Sequence, residues 1–269
     1  MTADLENLAR ITQAILCPPF EWCHVSGGRV TLLEASSFGG TKGGEFQTAD
    51  FAIAKYPITN AQYQCFPDDP NGYSNVTWWG YSPEARQWHK DHPNPQPTAF
   101  DGSDLPRTRI SWFDSLAFCG WLSAKLQTRN ANTTPFEVAN LDTWHVRLPI
   151  EQEWQRAALG DQDWQYPWGN QLDEKNGNYG NSMEHPTSVG SYPQGRSPYG
   201  AEDMIGNVWE WCLTPWGLDG MDISGYSNRV FKGGAWNVSN PEHLRANDRY
   251  GHPQRGRLND AGFRIAFYY

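Results

Sequence analysis

At 269 residues and a formal net charge of −9, the chain is long enough to bury a sizeable core in one or two domains. The negative charge argues against a surface built to bind phosphates, which needs clustered Lys and Arg, so we expect no nucleic-acid partner. A content of 14 Trp, 12 Tyr, 12 Phe, 26 Gly and 19 Pro indicates an aromatic core with many turns, and a globular rather than a disordered chain.

The N-terminal residues 4–16 repeat leucine and isoleucine near helical spacing, which predicts a short amphipathic helix that Pro18 and Pro19 end. This stretch lacks the basic segment of a signal peptide, and no stretch of the chain is long and apolar enough to span a membrane. The five cysteines lack CxxC spacing and predict buried free thiols rather than a zinc site or a disulfide framework. We therefore expect a cytoplasmic protein with no membrane partner.

From Phe20 the pattern changes to that of strands. Residues 20–25 and 29–33 are separated by a glycine pair and carry β-branched residues, and residues 46–56, FQTADFAIAKY, predict one further strand. Thr59 is expected to cap the helix that follows, because a threonine side chain can accept a hydrogen bond from the first free backbone amides.

A long polar segment follows at residues 68–104. Its prolines and its lack of any period predict an insertion on the surface. His89 and His92 lie in it at HxxH spacing, but a metal ion needs a third or fourth ligand and a rigid mount, and the sequence offers neither. We therefore expect both histidines to be exposed to solvent.

Two main helices are predicted in the middle of the chain. The first begins with a capping box of Ser111 and Asp114, and the second covers residues 151–159, just after a proline. Residues 160–200 are almost all turns, and residues 261–269 predict a terminal strand with its large apolar residues on one face. Strands near both ends with helices between them favour a single α+β domain, rich in loops and with short strands.

The C-terminal segment, residues 231–267, combines a regular frame with polar filling. A glycine pair, a tryptophan and several arginines divide it, and between them lie runs of two to four small, polar or turn-forming residues. No helical or strand period passes through the filling, which indicates loops laid over a scaffold. Loops on a rigid frame commonly carry binding sites, so this is our candidate functional surface. We expect several of its arginines to pair with acids or carbonyls of the scaffold.

Eight motifs follow one another along the chain: SGG, FAIAKYPITNAQYQCF, RISWFDSLAFCGWLS, RLPIEQEWQRAAL, YPWGN, GNVWEW, FKGGAW and GFRIA. Their order resembles the formylglycine-generating-enzyme domain, or sulfatase-modifying factor domain, which is a variant of the C-type lectin fold. The resemblance covers residues 20–269. It implies a C-type-lectin-like domain over that range, preceded by an N-terminal helix and linker at residues 1–19.

The resemblance bears on catalysis as well. The family's oxidase converts a sulfatase cysteine with two cysteines five residues apart, just after the motif that reads KGG here. The matching positions are Val238 and His243, and no cysteine follows Cys212. Since neither side chain can act as a thiolate, we expect this activity to be absent. A second branch forms carbon–sulfur bonds at an iron held by three histidines of an additional helical domain, whereas the seven histidines here are dispersed.

A third branch contains the variable proteins of diversity-generating retroelements, in which the last segment of the lectin-type domain is diversified. The resemblance implies a variable segment at residues 236–261, where small, polar, Tyr and His residues alternate with fixed positions. Tyr and Trp offer rigid contact area there, and Asn and Ser offer adaptable hydrogen bonds. The residues expected to bind ligand are Trp236, Asn237, Val238, Ser239, His243, Asn247, Tyr250, Gly251, His252, Arg255, Leu258, Asn259 and Asp260.

The resemblance further implies one structural calcium ion. The family holds it with residues that match Asp203, Gly206, Val208 and Glu210, and two carboxylates with two backbone carbonyls suit a hard cation. The alternative is that Glu210 caps or pairs within the fold. In either case these residues would stiffen a loop and take no part in chemistry.

Three functions follow as hypotheses. The first, which we expect, is a non-catalytic protein whose C-terminal surface binds a protein or a small molecule. The second is an enzyme of the same fold, an oxidoreductase that acts on a thiol or sulfur substrate through a non-standard active site. The third is a scaffolding partner that uses the N-terminal helix or the 68–104 insertion.

Overall fold

The computed structural model describes residues 2–35, 41–127, 137, 140–218 and 220–268. The helices in these ranges are α1 (Thr2–Gln13), α2 (Asn60–Asp68), α3 (Pro83–Asp91), α4 (Trp112–Gln127) and α5 (Glu151–Leu159). The strands are β1 (Trp22–Val25), β2 (Gly28–Leu32), β3 (Gly44–Thr48), β4 (Phe51–Ala54), β5 (Val146–Arg147), β6 (Trp209–Pro215), β7 (Asn228–Lys232), β8 (Tyr250–Pro253), β9 (Ala261–Gly262) and β10 (Ala266–Phe267).

The strands form three small sheets, in the orders β1-β4-β10-β5, β2-β3 and β8-β7-β6-β9. All neighbours are antiparallel except β6 and β9, which are parallel. The C-terminal segment supplies β8 and β9 to one four-stranded sheet and β10 to the other. It therefore joins the two sheets of an α+β domain, as the sequence predicts.

Two of the strand predictions are wrong in the same way. In each case the sequence predicts one strand, whereas the structure has two strands that belong to different sheets. Residues 46–56 contain the end of β3, which pairs with β2, and all of β4, which pairs with β1. The break lies at Asp50, whose carboxylate accepts a hydrogen bond from the amide of Gly27 at 2.8 Å. Residues 261–268 contain β9 on β6 and β10 between β4 and β5; Tyr269 lies outside the described residues.

The prediction of a surface insertion at residues 68–104 is also wrong. The segment contains α3, which begins where the Ser82 hydroxyl accepts from the amide of Ala85 at 3.1 Å. Its tryptophans at 79 and 88 are buried in the same core cluster as the apolar residues of α4. The mean hydropathy of the segment is low because most of its residues are polar, so it does not reveal which individual aromatics are buried.

His89 is buried rather than exposed. Its ring stacks on that of Trp79, with 4.6 Å between centroids and 8° between planes, and burial lowers the pKa of the imidazole. His92 is half-buried, and its ring stacks on Trp88 at 3.8 Å. Both histidines therefore pack in the aromatic core, which is a structural use of their rings.

The helix caps are confirmed. The Thr59 hydroxyl accepts from the amide of Gln62 at 3.2 Å, and the Gln62 side chain accepts from the amide of Thr59 at 3.0 Å. Ser111 and Asp114 make the same reciprocal pair at the start of α4, at 3.1 and 3.0 Å. Such boxes satisfy amides that the first turn of a helix leaves without partners.

Helix α1 packs on the same core as the rest of the domain. Leu5, Leu8, Ile11 and Ile15 lie against the buried cluster that contains α4. The boundary at residue 19 stays a prediction. In the part of the chain that the structure describes, no helix has the length and apolar character needed to cross a membrane.

Candidate binding surface

Three arginines of the C-terminal segment bind carboxylates of the domain body, and each guanidinium donates two hydrogen bonds to one carboxylate. The pairs are Arg249 with Glu151 of α5 (2.7 and 2.5 Å), Arg257 with Asp114 of α4 (3.1 and 3.2 Å) and Arg264 with Glu210 of β6 (2.7 and 2.7 Å). The prediction that arginines of this segment pair within the scaffold is confirmed.

The pairs of Arg249 and Arg264 lie in the interior, where all four side chains are at most 1% exposed. Removing two charges from water is costly, so such a pair persists only where further hydrogen bonds satisfy its remaining donors. Arg249 also donates to the carbonyls of Leu33 and Lys42 and to the hydroxyl of Thr41. Arg264 also donates to the carbonyls of Ala54, Lys55 and Glu202.

Lys232, at the end of β7, also binds the C-terminal segment from the interior. Its ammonium group is fully buried and donates to the carbonyl of Asp248 at 2.6 Å. Burial lowers the pKa of the lysine to about 8, and the nearby Glu151 carboxylate opposes that shift. The turn before β8 is thus fixed by Lys232 at Asp248 and by Glu151 at the next residue, Arg249. A surface held in this way loses little conformational entropy when it binds a partner.

A pocket of about 300 Å³ opens on this segment, and aromatic rings from three neighbouring strands form its floor. Trp209 starts β6, Phe231 lies in β7 and Tyr250 starts β8. The Trp209 ring lies 6.1 Å from Phe231 at 16° and 5.6 Å from Tyr250 at 28°. Phe231 and Tyr250 are direct partners in the β7–β8 register, which explains why their rings share one face.

The polar groups of the pocket lie around this floor. His243 Nδ1 lies 3.1 Å from a carboxylate oxygen of Asp248. The carboxylate of Asp260 accepts from the side chain of Asn237 at 2.9 Å. The pocket is completed by His252, whose ring stacks on Phe231 at 5.2 Å, and by Leu258. Chemically, the site offers flat apolar area for stacking and a rim of hydrogen-bonding groups.

The predicted binding residues fall into four sets. The pocket brings together His243, Tyr250, His252, Leu258 and Asp260. Outside the pocket lining, Asn237, Ser239, Arg255 and Asn259 are exposed, and Trp236, Val238 and Asn247 are half-buried. Asn247 does not face this pocket, since it lines a separate groove beside Arg29 and Arg156. Gly251 is buried.

The position of Gly251 follows from a strand that sequence analysis missed. Residues 250–253 form β8, and alternate residues of a strand face opposite sides. Tyr250 and His252 therefore face the pocket, while Gly251 faces the ring of Trp216, where a Cβ would come within 2.5 Å of the indole. Gly251 thus permits the close approach of Trp216 and offers no side chain to a ligand.

Trp209 and Phe231 are the pocket residues that sequence analysis did not predict as binding residues. Both lie within motifs of the resemblance, GNVWEW and FKGGAW. Trp209 and Trp211 are two positions apart in β6, so their side chains share one face of the strand, and both rings lie against Phe231, at 6.1 and 4.0 Å between centroids.

The two positions of the family's cysteine pair have different surroundings. His243 lines the pocket, whereas Val238 is half-buried and packs on the core. The described lining of the pocket contains no cysteine. Within the described ranges, no three His, Cys, Asp or Glu side chains are grouped so that they could hold a metal ion.

Glu210, one of the expected calcium ligands, already accepts hydrogen bonds from other side chains. Both of its oxygens accept from Arg264, and one also accepts from the indole of Trp154 at 2.6 Å. Asp203 accepts from the amide of Gly190 at 2.8 Å, and burial raises the pKa of its carboxyl to about 6. Glu210 thus pairs within the fold, and a calcium ion would have to share it with an arginine.

Calcium at Asp203, Gly206, Val208 and Glu210 stays a prediction. Calcium that binds only the folded state stabilises it by an amount that grows with the free calcium concentration, so added calcium should raise the unfolding temperature and EDTA should reverse the rise. Asp203→Asn should abolish this response because it removes one of the two charges. An equal response in the variant and in the wild type would place the ion elsewhere.

Comparison with known proteins gives a family and a fold. The family model described as "Sulfatase-modifying factor enzyme 1-like domain" matches residues 20–268. The hercynine oxygenase of Mycolicibacterium smegmatis is 34% identical over 240 residues, which cover 81% of this chain and 53% of the relative. The chain therefore spans about half the length of that enzyme. The inactive C-alpha-formylglycine-generating enzyme 2 of Mus musculus is 28% identical over 287 residues, covering 90% of this chain and 84% of the relative.

Among solved structures, the Treponema denticola variable protein 1 superposes with a TM-score of 0.64 at 22% identity. The match covers 92% of this chain and 95% of that one. CarF superposes with a TM-score of 0.60 at 20% identity. These likenesses establish the fold, a C-type-lectin-like domain of the formylglycine-generating-enzyme type, as the sequence predicts.

Proposed function

The chain belongs to the family of sulfatase-modifying factor enzyme 1-like domains, and from this premise we propose that it is a non-catalytic binding protein. Its ligand is a protein or a small molecule held by the pocket on the C-terminal segment. The observation that carries the proposal is that five of the side chains expected to bind, His243, Tyr250, His252, Leu258 and Asp260, line one aromatic-floored pocket.

The proposal includes diversification of this segment. We infer that residues 236–261 vary among sibling proteins, as in the variable proteins of diversity-generating retroelements. What supports this is the separation of roles along the segment. Arg249 and Arg257 point inward to carboxylates, while Asn237, Ser239 and Arg255 are exposed. Exposed side chains can change without disturbing such pairs, and their loops are positioned by the rigid scaffold.

The observation most favourable to the enzyme alternative is the 34% identity to a hercynine oxygenase. The family's thiol oxidation uses a pair of cysteines, and this chain has Val238 and His243 at the two matching positions, which argues against that activity. Oxygen uptake with hercynine, a thiol and iron(II) tests the alternative directly. Turnover in that assay would replace the binding proposal with an enzymatic one.

The binding proposal predicts a loss of affinity on changing Tyr250. A peptide selected against the purified chain from a random displayed library serves as the probe, with affinity measured by calorimetry. Tyr250→Ala should weaken binding by roughly 30-fold, because a tyrosine at the centre of a pocket commonly contributes about 2 kcal/mol to an interface.

The matched control is Tyr192→Ala, which changes a half-buried tyrosine outside the pocket and the variable segment and should leave affinity within about twofold. Equal losses in the two variants would contradict the location of the site. Sequences of sibling proteins supply a second test, since changes spread evenly along the chain would contradict diversification of residues 236–261.

A further inference from the structure

Two of the five cysteines do not behave as the sequence predicts. Cys23, Cys119 and Cys212 are buried, as expected, but Cys17 is exposed and Cys65 is half-buried. The Sγ atoms of Cys17 and Cys65 lie 3.6 Å apart, although the two residues are 48 positions apart in the chain. The fold therefore brings the two solvent-accessible thiols of the chain to one place on the surface.

The backbone around this pair is fixed on both sides. Leu16, next to Cys17, is 1% exposed and belongs to the core, and the carbonyl of Pro19 accepts a hydrogen bond from the side chain of Gln62. Cys65 lies within α2, where its thiol also donates to the carbonyl of Ala61 at 3.4 Å. Small rotations of the two side chains suffice to bring the sulfurs together, because the segments that carry them are already docked.

We propose that Cys17 and Cys65 form a reversible disulfide by exchange with a small-molecule disulfide, and that the bond joins the segment after α1 to α2. In the first step the Cys17 thiolate attacks the small disulfide, forms a mixed disulfide and releases one thiolate of the reagent. In the second step the Cys65 thiolate attacks Cys17 Sγ and releases the other. The protein loses two protons and two electrons, and the reagent gains them as two thiols.

The assignment of roles follows from exposure and burial. Cys17 is exposed and meets the reagent first. Burial raises the pKa of the Cys65 thiol to about 11, so little Cys65 thiolate is present at neutral pH and the second step is the slow one. The bond would close a loop that contains β1 to β4, and closing a loop of that length restricts the unfolded chain.

The experiment treats the whole native chain with oxidised glutathione at pH 8 for several hours, quenches it with acid and maps its peptides by mass spectrometry without reduction. We expect one cross-linked peptide pair that contains Cys17 and Cys65, reversed by dithiothreitol. The oxidised protein should also unfold roughly 5–10 °C above the reduced one, as expected for a loop of this size.

The variants separate the proposal from nonspecific oxidation. Cys65→Ser should stop at a stable mixed disulfide of glutathione with Cys17, and Cys17→Ser should give no cross-link. Cys23→Ala, which changes a buried thiol outside the pair, should cross-link like the wild type. A wild-type chain that accumulates only the mixed disulfide overturns the proposal, and a cross-link without a rise in unfolding temperature overturns the stabilising effect of the closed loop.

Discussion

Replacing Arg264 with alanine is expected to lower the free energy of unfolding by about 3–5 kcal/mol, because Glu210 would remain buried without its cation. Arg264 is fully buried, and it also donates to three backbone carbonyls that the variant would leave without this donor. Since one arginine joins β6, the end of β4 and the segment before β10, its loss should loosen both four-stranded sheets. Denaturant unfolding followed by tryptophan fluorescence measures the effect.

Arg255→Ala is the matched control for Arg264→Ala. Arg255 belongs to the same segment, but it is exposed and its guanidinium lies over the ring of Tyr226 at 3.9 Å. Its removal should change the free energy of unfolding by no more than about 0.5 kcal/mol. If the two variants unfolded at the same denaturant concentration, the buried pair would not be what fastens the C-terminal segment.

The second large effect is expected at Arg249 and Glu151. Arg249→Met alone and Glu151→Leu alone should each cost about 3–5 kcal/mol, because each leaves one charge in the interior without its partner. The double variant should cost less than the sum of the two single losses, with a coupling energy of about 1–3 kcal/mol. Unfolding curves of the wild type, both single variants and the double variant complete the cycle.

Arg249 also connects stability to binding. It lies between Asp248, which accepts from Lys232, and Tyr250, which forms part of the pocket floor. Arg249→Met should therefore weaken binding of the selected peptide as well as stability, although its own side chain faces inward. Purely additive losses of stability in the double-mutant cycle would refute the view that Arg249 and Glu151 act as a pair.

The fold could be predicted largely from local chemistry. The capping boxes at Thr59 and Ser111 are set by a few neighbouring residues, and both are present. The motifs along the chain identify the family and so the lectin-type fold. The strand predictions are wrong where pairing between distant segments decides the structure. Nothing within residues 46–56 shows that β3 and β4 belong to different sheets, since that depends on their partners.

The prediction that residues 68–104 form a surface insertion is wrong for a different reason. Hydropathy averages over neighbours, whereas burial acts on individual side chains. Trp79 and Trp88 are buried although the segment that contains them is polar on average. The stacking of His89 on Trp79 brings together residues ten positions apart through the folding of α3, and no spacing rule predicts it.

For the candidate site, the sequence locates the segment but not its geometry. The frame and filling of residues 231–267 predict inward arginines and an outward polar surface, and the carboxylate partners of Arg249, Arg257 and Arg264 appear only in the fold. The floor residue Trp209 comes from β6, some forty positions before Tyr250, and the structure places their rings 5.6 Å apart. In β8, alternate side chains point to opposite faces, so Gly251 lies on the face opposite that of Tyr250 and His252.

The inward arginine pairs make the domain suitable as a template for directed evolution. Codons for Asn237, Ser239, Arg255 and Asn259 could be randomised together while Arg249, Arg257 and Arg264 are kept. Most members of such a library should express as folded protein, because the residues that hold the segment lie beneath those that change. Selection could then act on affinity alone, without a parallel screen for solubility.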